Sequence, residues 1–226
     1  KNGNSAILTL NYAYTLQHAA EIMKWLGYRQ KAEQYLTKSQ KYAEIVRRLC
    51  YDESKGIYLD NPEYDFYDQR ASILAILCGA HSEMESEKIM LKILDNSTHF
   101  DSKTNLFFYF YLFEAMEKTG AGNFTKALQP WKAIYDMGLS GTPEKRIEQH
   151  PRSEVHPWTA HPIHYYFTVV AGIRPASPGF GTVEIKPNPA ELKEVKADYP
   201  TIKGQISVSL NFTKKSNVTG TIKLPP

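Results

Sequence analysis

The feature that most constrains this chain is an alternation in the character of its predicted helices. Residues 5–26 (SAILTLNYAYTLQHAAEIMKWL) are apolar on nearly every face. Residues 30–49 instead carry Ala32, Tyr35, Leu36, Tyr42, Ala43, Val46 and Leu49 on one side, with Lys and Glu on the other. The pair then recurs. Residues 70–80 (RASILAILCGA) are apolar all round and 83–94 (EMESEKIMLKIL) are charged and amphipathic; 105–117 (NLFFYFYLFEAME) are again apolar and 123–137 more polar. A seventh helix, 159–171, is apolar once more. Asn4 reads as the N-cap of the first helix and Gly27 as its stop. A helix apolar on all sides must be covered on all sides, whereas an amphipathic one borders water. The alternation therefore predicts an inner and an outer layer of helices, in hairpins of roughly 35–50 residues.

Such hairpins build open solenoids or closed toroids. The inner helices are too aromatic for an open concave surface, no 34-residue consensus repeats, and the connections 51–69 and 138–157 are long. These points favour a toroid, in which the long loops gather at one end around a cavity. Three and a half hairpins fall short of the usual six, so the N-terminal half is expected to lie outside this sequence.

After Gly172 the pattern changes. Residues 183–186, 205–213 and 219–224 read as strands, and GQISVSLNFT alternates apolar and polar positions at period two. Prolines and glycines punctuate them, and residues 214–217 read as a hairpin turn. Three or four strands make a sheet with one apolar face rather than a complete sandwich. The expected class is mainly α with a β tail, divided into residues 1–173 and 174–226.

The formal net charge of +3 is small for 226 residues, and Lys and Arg are scattered, which argues against a nucleic-acid partner. Cys50 and Cys78 lack a redox or zinc spacing and read as buried thiols. Asn96, Asn123, Asn211 and Asn217 begin N-x-S/T sequons that matter only in a glycosylating host. No apolar run reaches the ~20 residues of a membrane span. The chain opens on KNGNSA and closes on KLPP, and neither end has the look of a natural terminus. Oligomeric state is not legible.

Residues 138–185 (GLSGTPEKRIEQHPRSEVHPWTAHPIHYYFTVVAGIRPASPGFGTVEI) gather glutamates, histidines and a tryptophan on irregular chain before an apolar helix. Loops held at the ends of rigid elements are common seats of function. Carboxylates, imidazoles and aromatics together suit carbohydrate processing. Four histidines (His150, His156, His161, His164) lack HExxH spacing, so neither a metal nor a cofactor is expected. No P-loop or strand–GxGxxG–helix occurs.

The run HPWTAHPIHYYFTVVAGIRPASPGFGTVEIKPNP resembles the C-terminal part of bacterial α-L-rhamnosidases, glycoside hydrolase family 78. Its frame is similar to H-x-W-[ST]-A-x-P, V-A-G-I-x-P and P-G-F-x-x-V-x-I-x-P. Weaker likenesses lie in GNSAILTLNYAYTLQHAAEIMKWLG and DFYDQRASILAILCGA. The resemblance implies the C-terminal portion of an (α/α)6 barrel catalytic domain, with about seven helices, followed by a β-sandwich domain that is incomplete here. It further implies an inverting mechanism with a glutamate acid and a glutamate base. GLSGTPE is similar to the family's G-[LT]-[TS]-T-x-x-E, with Gly141 in place of the second Thr. That makes Glu144 the candidate general base, with Glu148 as fallback.

His156 falls at a substrate-contacting histidine of the family frame, and Trp158 supplies an aromatic platform. Asp68 and Arg70 open an inner helix at the expected cavity end as candidates for sugar hydroxyls, Asp68 serving equally as a helix cap. The family's general acid comes from an upstream acidic segment, for which Asp60, Asp65 and Asp68 supply no match; it is expected before residue 1. The partner is a rhamnose-containing glycan or glycoside, and a periplasmic or secreted location is favoured over a cytoplasmic one. Alternatives are another (α/α)6 glycosidase, α-L-fucosidase-like or trehalase-like, and a non-catalytic helical scaffold that binds carbohydrate.

Overall fold

The first helix, α1 (Ala6–Trp25), begins at Ser5 rather than Asn4: the Ser5 hydroxyl accepts from the Leu8 N–H and donates to Asp60 Oδ1 at 2.8 Å. Ser5 can satisfy a helix donor and a distant carboxylate at once, and so takes the cap. A computed structural model describes residues 4–144, 153–214 and 217–226. α1 turns into α2 (Arg29–Cys50) through Gly27, whose φ of 84° is left-handed. Small residues line the seam (Ala13, Ala20, Ala32, Ala43), and the buried Ser39 hydroxyl donates to the Ala13 carbonyl at 2.8 Å. Small side chains let the two helix axes approach closely.

A tight hairpin of β1 (Tyr51–Asp52) and β2 (Ile57–Tyr58) follows, antiparallel, its turn held by Asp52 accepting from the Ser54 and Lys55 amides. Then come α3 (Gln69–Cys78), α4 (Glu83–Leu94) and α5 (Tyr109–Thr119). α4 opens with a capping box between Ser82 and Glu85. α3 packs against α1, α4 and α5, and all its residues except Arg70 are buried. Gln69 cross-links this core: its amide donates to the Ile93 carbonyl, and its oxygen accepts from Thr104. Both thiols are buried; burial pushes Cys50 up to about 11 and Cys78 up to about 12. These elements form one compact unit, Lys1–Gly122.

The second unit, Asn123–Pro226, starts with two short helices, α6 (Phe124–Ala127) and α7 (Gln129–Asp136), where sequence suggested one. The predicted apolar helix over 159–171 is also broken. Pro162 cannot continue a helix from its N-terminal side, so it opens a new one, α8 (Pro162–Tyr165), after a 3₁₀ turn at Pro157–Thr159. The chain then widens into a π turn, Tyr166–Val170.

β3 (Ile173–Pro175) pairs antiparallel with β4 (Val183–Ile185). Gly172 sits at φ 70° against the Lys186 backbone, where any side chain would collide. Its carbonyl accepts from the Lys186 N–H, while Asn188 donates to Val169. The V-A-G-I and I-K-P-N runs are thus the two sides of one close backbone crossing. A three-stranded antiparallel sheet completes the unit, ordered β5 (Glu194–Thr201), β6 (Gly204–Lys214), β7 (Asn217–Lys223). Val195, Ile206, Val208 and Leu210 are its buried residues. β5 lies outside the strands expected from the sequence, although Val195, Ala197, Tyr199 and Thr201 alternate inward along it. The chain is mainly α with an antiparallel β tail, the class its patterning implied.

Candidate active site

Asp68 is the N-cap of α3 and is completely buried. Its Oδ1 accepts from the Arg70 N–H at 2.9 Å and from Arg70 Nε at 2.9 Å; Oδ2 accepts from Arg70 Nη2 at 2.5 Å. A two-oxygen grip of this kind fixes the plane of a guanidinium. These hydrogen bonds to Asp68 also hold the Arg70 pKa above its ordinary value. About a third of the Arg70 side chain stays exposed, so one face of a fixed, permanently charged donor is available to a ligand.

The Asp68 amide donates to the Tyr58 carbonyl at 3.3 Å, and the Gln69 amide to Ser102 at 3.0 Å, so the cap is anchored from two directions. Asp60 is engaged elsewhere: it accepts from Ser5 Oγ and from the Ile7 N–H at the start of α1. Beside Asp65 and Asp52, the Tyr67 hydroxyl is held in its protonated form, above the usual phenol range; the leading cause is its hydrogen bond to Asp52.

In the second unit, residues 142–144 run antiparallel to 153–156. The Glu144 N–H donates to the Ser153 carbonyl at 3.0 Å, and the His156 N–H to the Thr142 carbonyl at 2.6 Å. These two bonds set the segments side by side, so the twelve-residue separation of Glu144 and His156 does not part their backbones in space. Gly141 explains itself here: a side chain would meet Val155 and the Glu154 carbonyl, and its absence lets the two segments close. Glu144 is half-buried, with its Oε2 shielded from solvent. The His156 and Trp158 rings lie 4.2 Å apart and tilted by 37°, and the indole is nearly half exposed. Glu148 and His150 fall in 145–152, outside the described residues.

Two residues that organise this segment had not been singled out. Thr159 is fully buried, and its hydroxyl lies within hydrogen-bond reach of both the Pro143 carbonyl (3.1 Å) and the His156 carbonyl (2.8 Å). Trp131 on α7 donates its indole N–H to the Thr159 carbonyl at 2.8 Å and sets its ring 5.3 Å from His161. A tryptophan in the short segment QPWKAIYD was the available signal. His161 packs against Trp131 and Tyr165, and His164 against Tyr165. Among the described residues no three His, Cys, Asp or Glu side chains gather as a metal would require, and no helix is long and apolar enough to cross a membrane.

The site residues thus fall into two local constellations: Asp68 with Arg70, and Glu144 with His156 and Trp158. The first can donate hydrogen bonds from a fixed cation. The second offers a carboxylate and an aromatic face, a combination suited to water activation and to stacking on a sugar ring.

Comparison with known proteins bears on the fold. The sequence profile of the bacterial alpha-L-rhamnosidase C-terminal domain matches residues 172–226. The chain superposes on a GH78 family rhamnosidase of Bacillus sp. GL1 with a TM-score of 0.84 and 21% identity, over 96% of this chain and 25% of that one. It also superposes on a rhamnosidase from Klebsiella oxytoca solved with rhamnose bound, with a TM-score of 0.61 and 18% identity, over 71% of this chain and 33% of that one. It therefore spans a quarter and a third of the length of these two structures. No curated protein matches it by sequence. Over nearly its whole length the chain has the fold of part of the family 78 rhamnosidases, and residues 172–226 match the C-terminal domain of bacterial α-L-rhamnosidases.

Proposed function

We propose that this chain is part of an inverting glycoside hydrolase that releases terminal α-L-rhamnose from glycans or glycosides, with Glu144 as its general base. The observation that carries the reading is the pairing of 142–144 with 153–156. It holds Glu144 on anchored backbone, one carboxylate oxygen withdrawn from water, beside the His156–Trp158 ring pair. The rhamnose bound by the Klebsiella oxytoca relative supports the substrate class.

In this mechanism Glu144 takes a proton from a water as that water attacks the anomeric carbon, and the glycosidic bond breaks on the opposite face. Trp158 lies under the apolar face of a sugar, and His156 hydrogen-bonds a ring hydroxyl. Within the first unit, Arg70, held by Asp68, is a separate candidate for hydrogen bonds to glycan hydroxyls. Inverting pairs stand roughly 6.5–9.5 Å apart to admit the water. The acid that completes the pair is proposed to come from outside these 226 residues. Residues 1–173 would then be the C-terminal portion of an (α/α)6 catalytic barrel, and 174–226 part of a β-sandwich domain.

Two measurements test this. The anomer first released by the full-length protein, followed by proton NMR on an aryl rhamnoside, is expected to be inverted; a retained anomer rejects the mechanism. The 226-residue chain alone is expected to give no turnover, and measurable hydrolysis by it would reject the missing acid.

A further inference from the structure

His81 stands in the turn between α3 and α4, its side chain wholly shielded from solvent. Its Nε2 lies 2.6 Å from the Tyr58 hydroxyl on β2. Its Nδ1 is buried, has no hydrogen-bond partner among the described residues, and faces Glu85 Oε2 of α4 at 3.8 Å. Tyr51 of β1 presents its ring 4.5 Å away, and Arg47 of α2 is close enough to repel a charge on the imidazole. α2, β1, β2 and α4 thus each bring one titratable or charged group to the ring.

The tautomer follows from this setting. A neutral ring carrying its hydrogen on Nδ1 turns that hydrogen, not a lone pair, toward Glu85, and leaves Nε2 to accept from the Tyr58 hydroxyl. Tyr58 is itself fully buried, and its backbone is committed at both ends. Its N–H donates to Ser72 Oγ at 3.0 Å, and its carbonyl accepts from the Asp68 N–H at 3.3 Å. One residue therefore joins the His81 ring to the amide of the carboxylate that holds Arg70.

A second proton on His81 must go to Nε2, where Tyr58 already donates. The phenol would have to turn its own hydrogen away inside the core, where burial holds it protonated. Glu85 is the group that would welcome the charge, yet its Oε2 is taken by the Ser82 N–H (3.1 Å) and hydroxyl (2.8 Å) of the capping box. We propose that His81 is a proton-operated latch. Neutral, it fastens the β1–β2 hairpin to the α3–α4 turn through Tyr58; protonated, it releases Tyr58 and loosens the Asp68 amide.

Burial, then Arg47, hold the His81 pKa below the usual imidazole range. The folded state accordingly binds fewer protons than the unfolded one, and this contribution to stability is present at neutral pH and lost as pH falls. An effect on substrate would rest additionally on the proposed role of Arg70, so the test is made on backbone amides.

NMR titration of the His81 Cε1–H in the 226-residue chain is paired with hydrogen exchange at pH 7 and pH 5, corrected for intrinsic rates. His81 is expected to titrate below a solvated histidine. Protection at the Tyr58 and Asp68 amides should fall about tenfold with it, while α2 amides such as Ala43 hold. His81→Gln, which takes no proton, should remove the pH dependence at both amides, and Glu85→Gln should lower the His81 midpoint further. A midpoint like that of a solvated histidine, pH-independent protection, an equal loss throughout α2, or the same dependence in His81→Gln would each overturn the latch.

Discussion

α1 and α3 are written in the same way, apolar on nearly all faces, yet they end in different surroundings. α3 lies against α1, α4, α5 and the β1–β2 hairpin, and its residues from Ala71 to Cys78 are all buried. Among the described residues α1 meets only α2 and α3 closely. It buries a stripe of Ala6, Leu10, Ala13, Leu16 and Ala20, and leaves Leu8 73% and Trp25 65% exposed. The difference teaches what an all-apolar helix encodes. Composition states how many faces the helix is suited to cover, and the neighbours within Lys1–Gly122 decide how many are covered. Equal hydrophobicity then carries unequal energy, because an exposed apolar face contributes no burial.

Substitutions along the two helices sharpen or break that contrast. The largest expected effect is at the centre of α3: Leu74→Ala, at a site with no exposure, should cost about 2–5 kcal/mol in urea unfolding. A cost below 1 kcal/mol would mean α3 is not the packed centre. Asp68→Ala comes next, because it removes both the cap and the partner of Arg70. Since Arg70 keeps a route to water, about 1.5–3 kcal/mol is expected rather than the full penalty of a stranded buried charge. Smallest is Trp25→Ser on the open face of α1, expected within about 0.5 kcal/mol. A loss as large as that of Leu74→Ala would show that the face is covered in solution.

Much of the fold could be read ahead of the structure because it rests on periodicity. The helix alternation and the strand read at 205–213, found as β6, both follow from spacing. What escaped depended on the other side of a contact. Ser5 outcompetes Asn4 as the cap only because Asp60 lies beside it, 55 residues away. The break at Pro162 was legible as a residue, yet the apolar run around it masked the stop.

The candidate site shows the same division. Asp68 and Arg70 are neighbours in sequence, so their pairing was within reach. The closeness of Glu144 and His156 comes from a backbone ladder and from the missing side chain at Gly141, neither of which spacing can express. Much of the motif that carries the family likeness, V-A-G-I and I-K-P-N, proves to be a structural crossing around Gly172 rather than chemistry.

The central claim is that Glu144 is the general base, and the most direct measurement compares Glu144→Gln with Glu148→Gln in the full-length protein on an aryl α-L-rhamnoside. Glu144→Gln is expected to lower kcat by about 10²–10⁴-fold, the usual worth of a general base, with rhamnose binding retained. Glu148→Gln should leave kcat within severalfold of the parent. Unchanged turnover in Glu144→Gln, or the large loss falling on Glu148→Gln instead, would contradict the assignment.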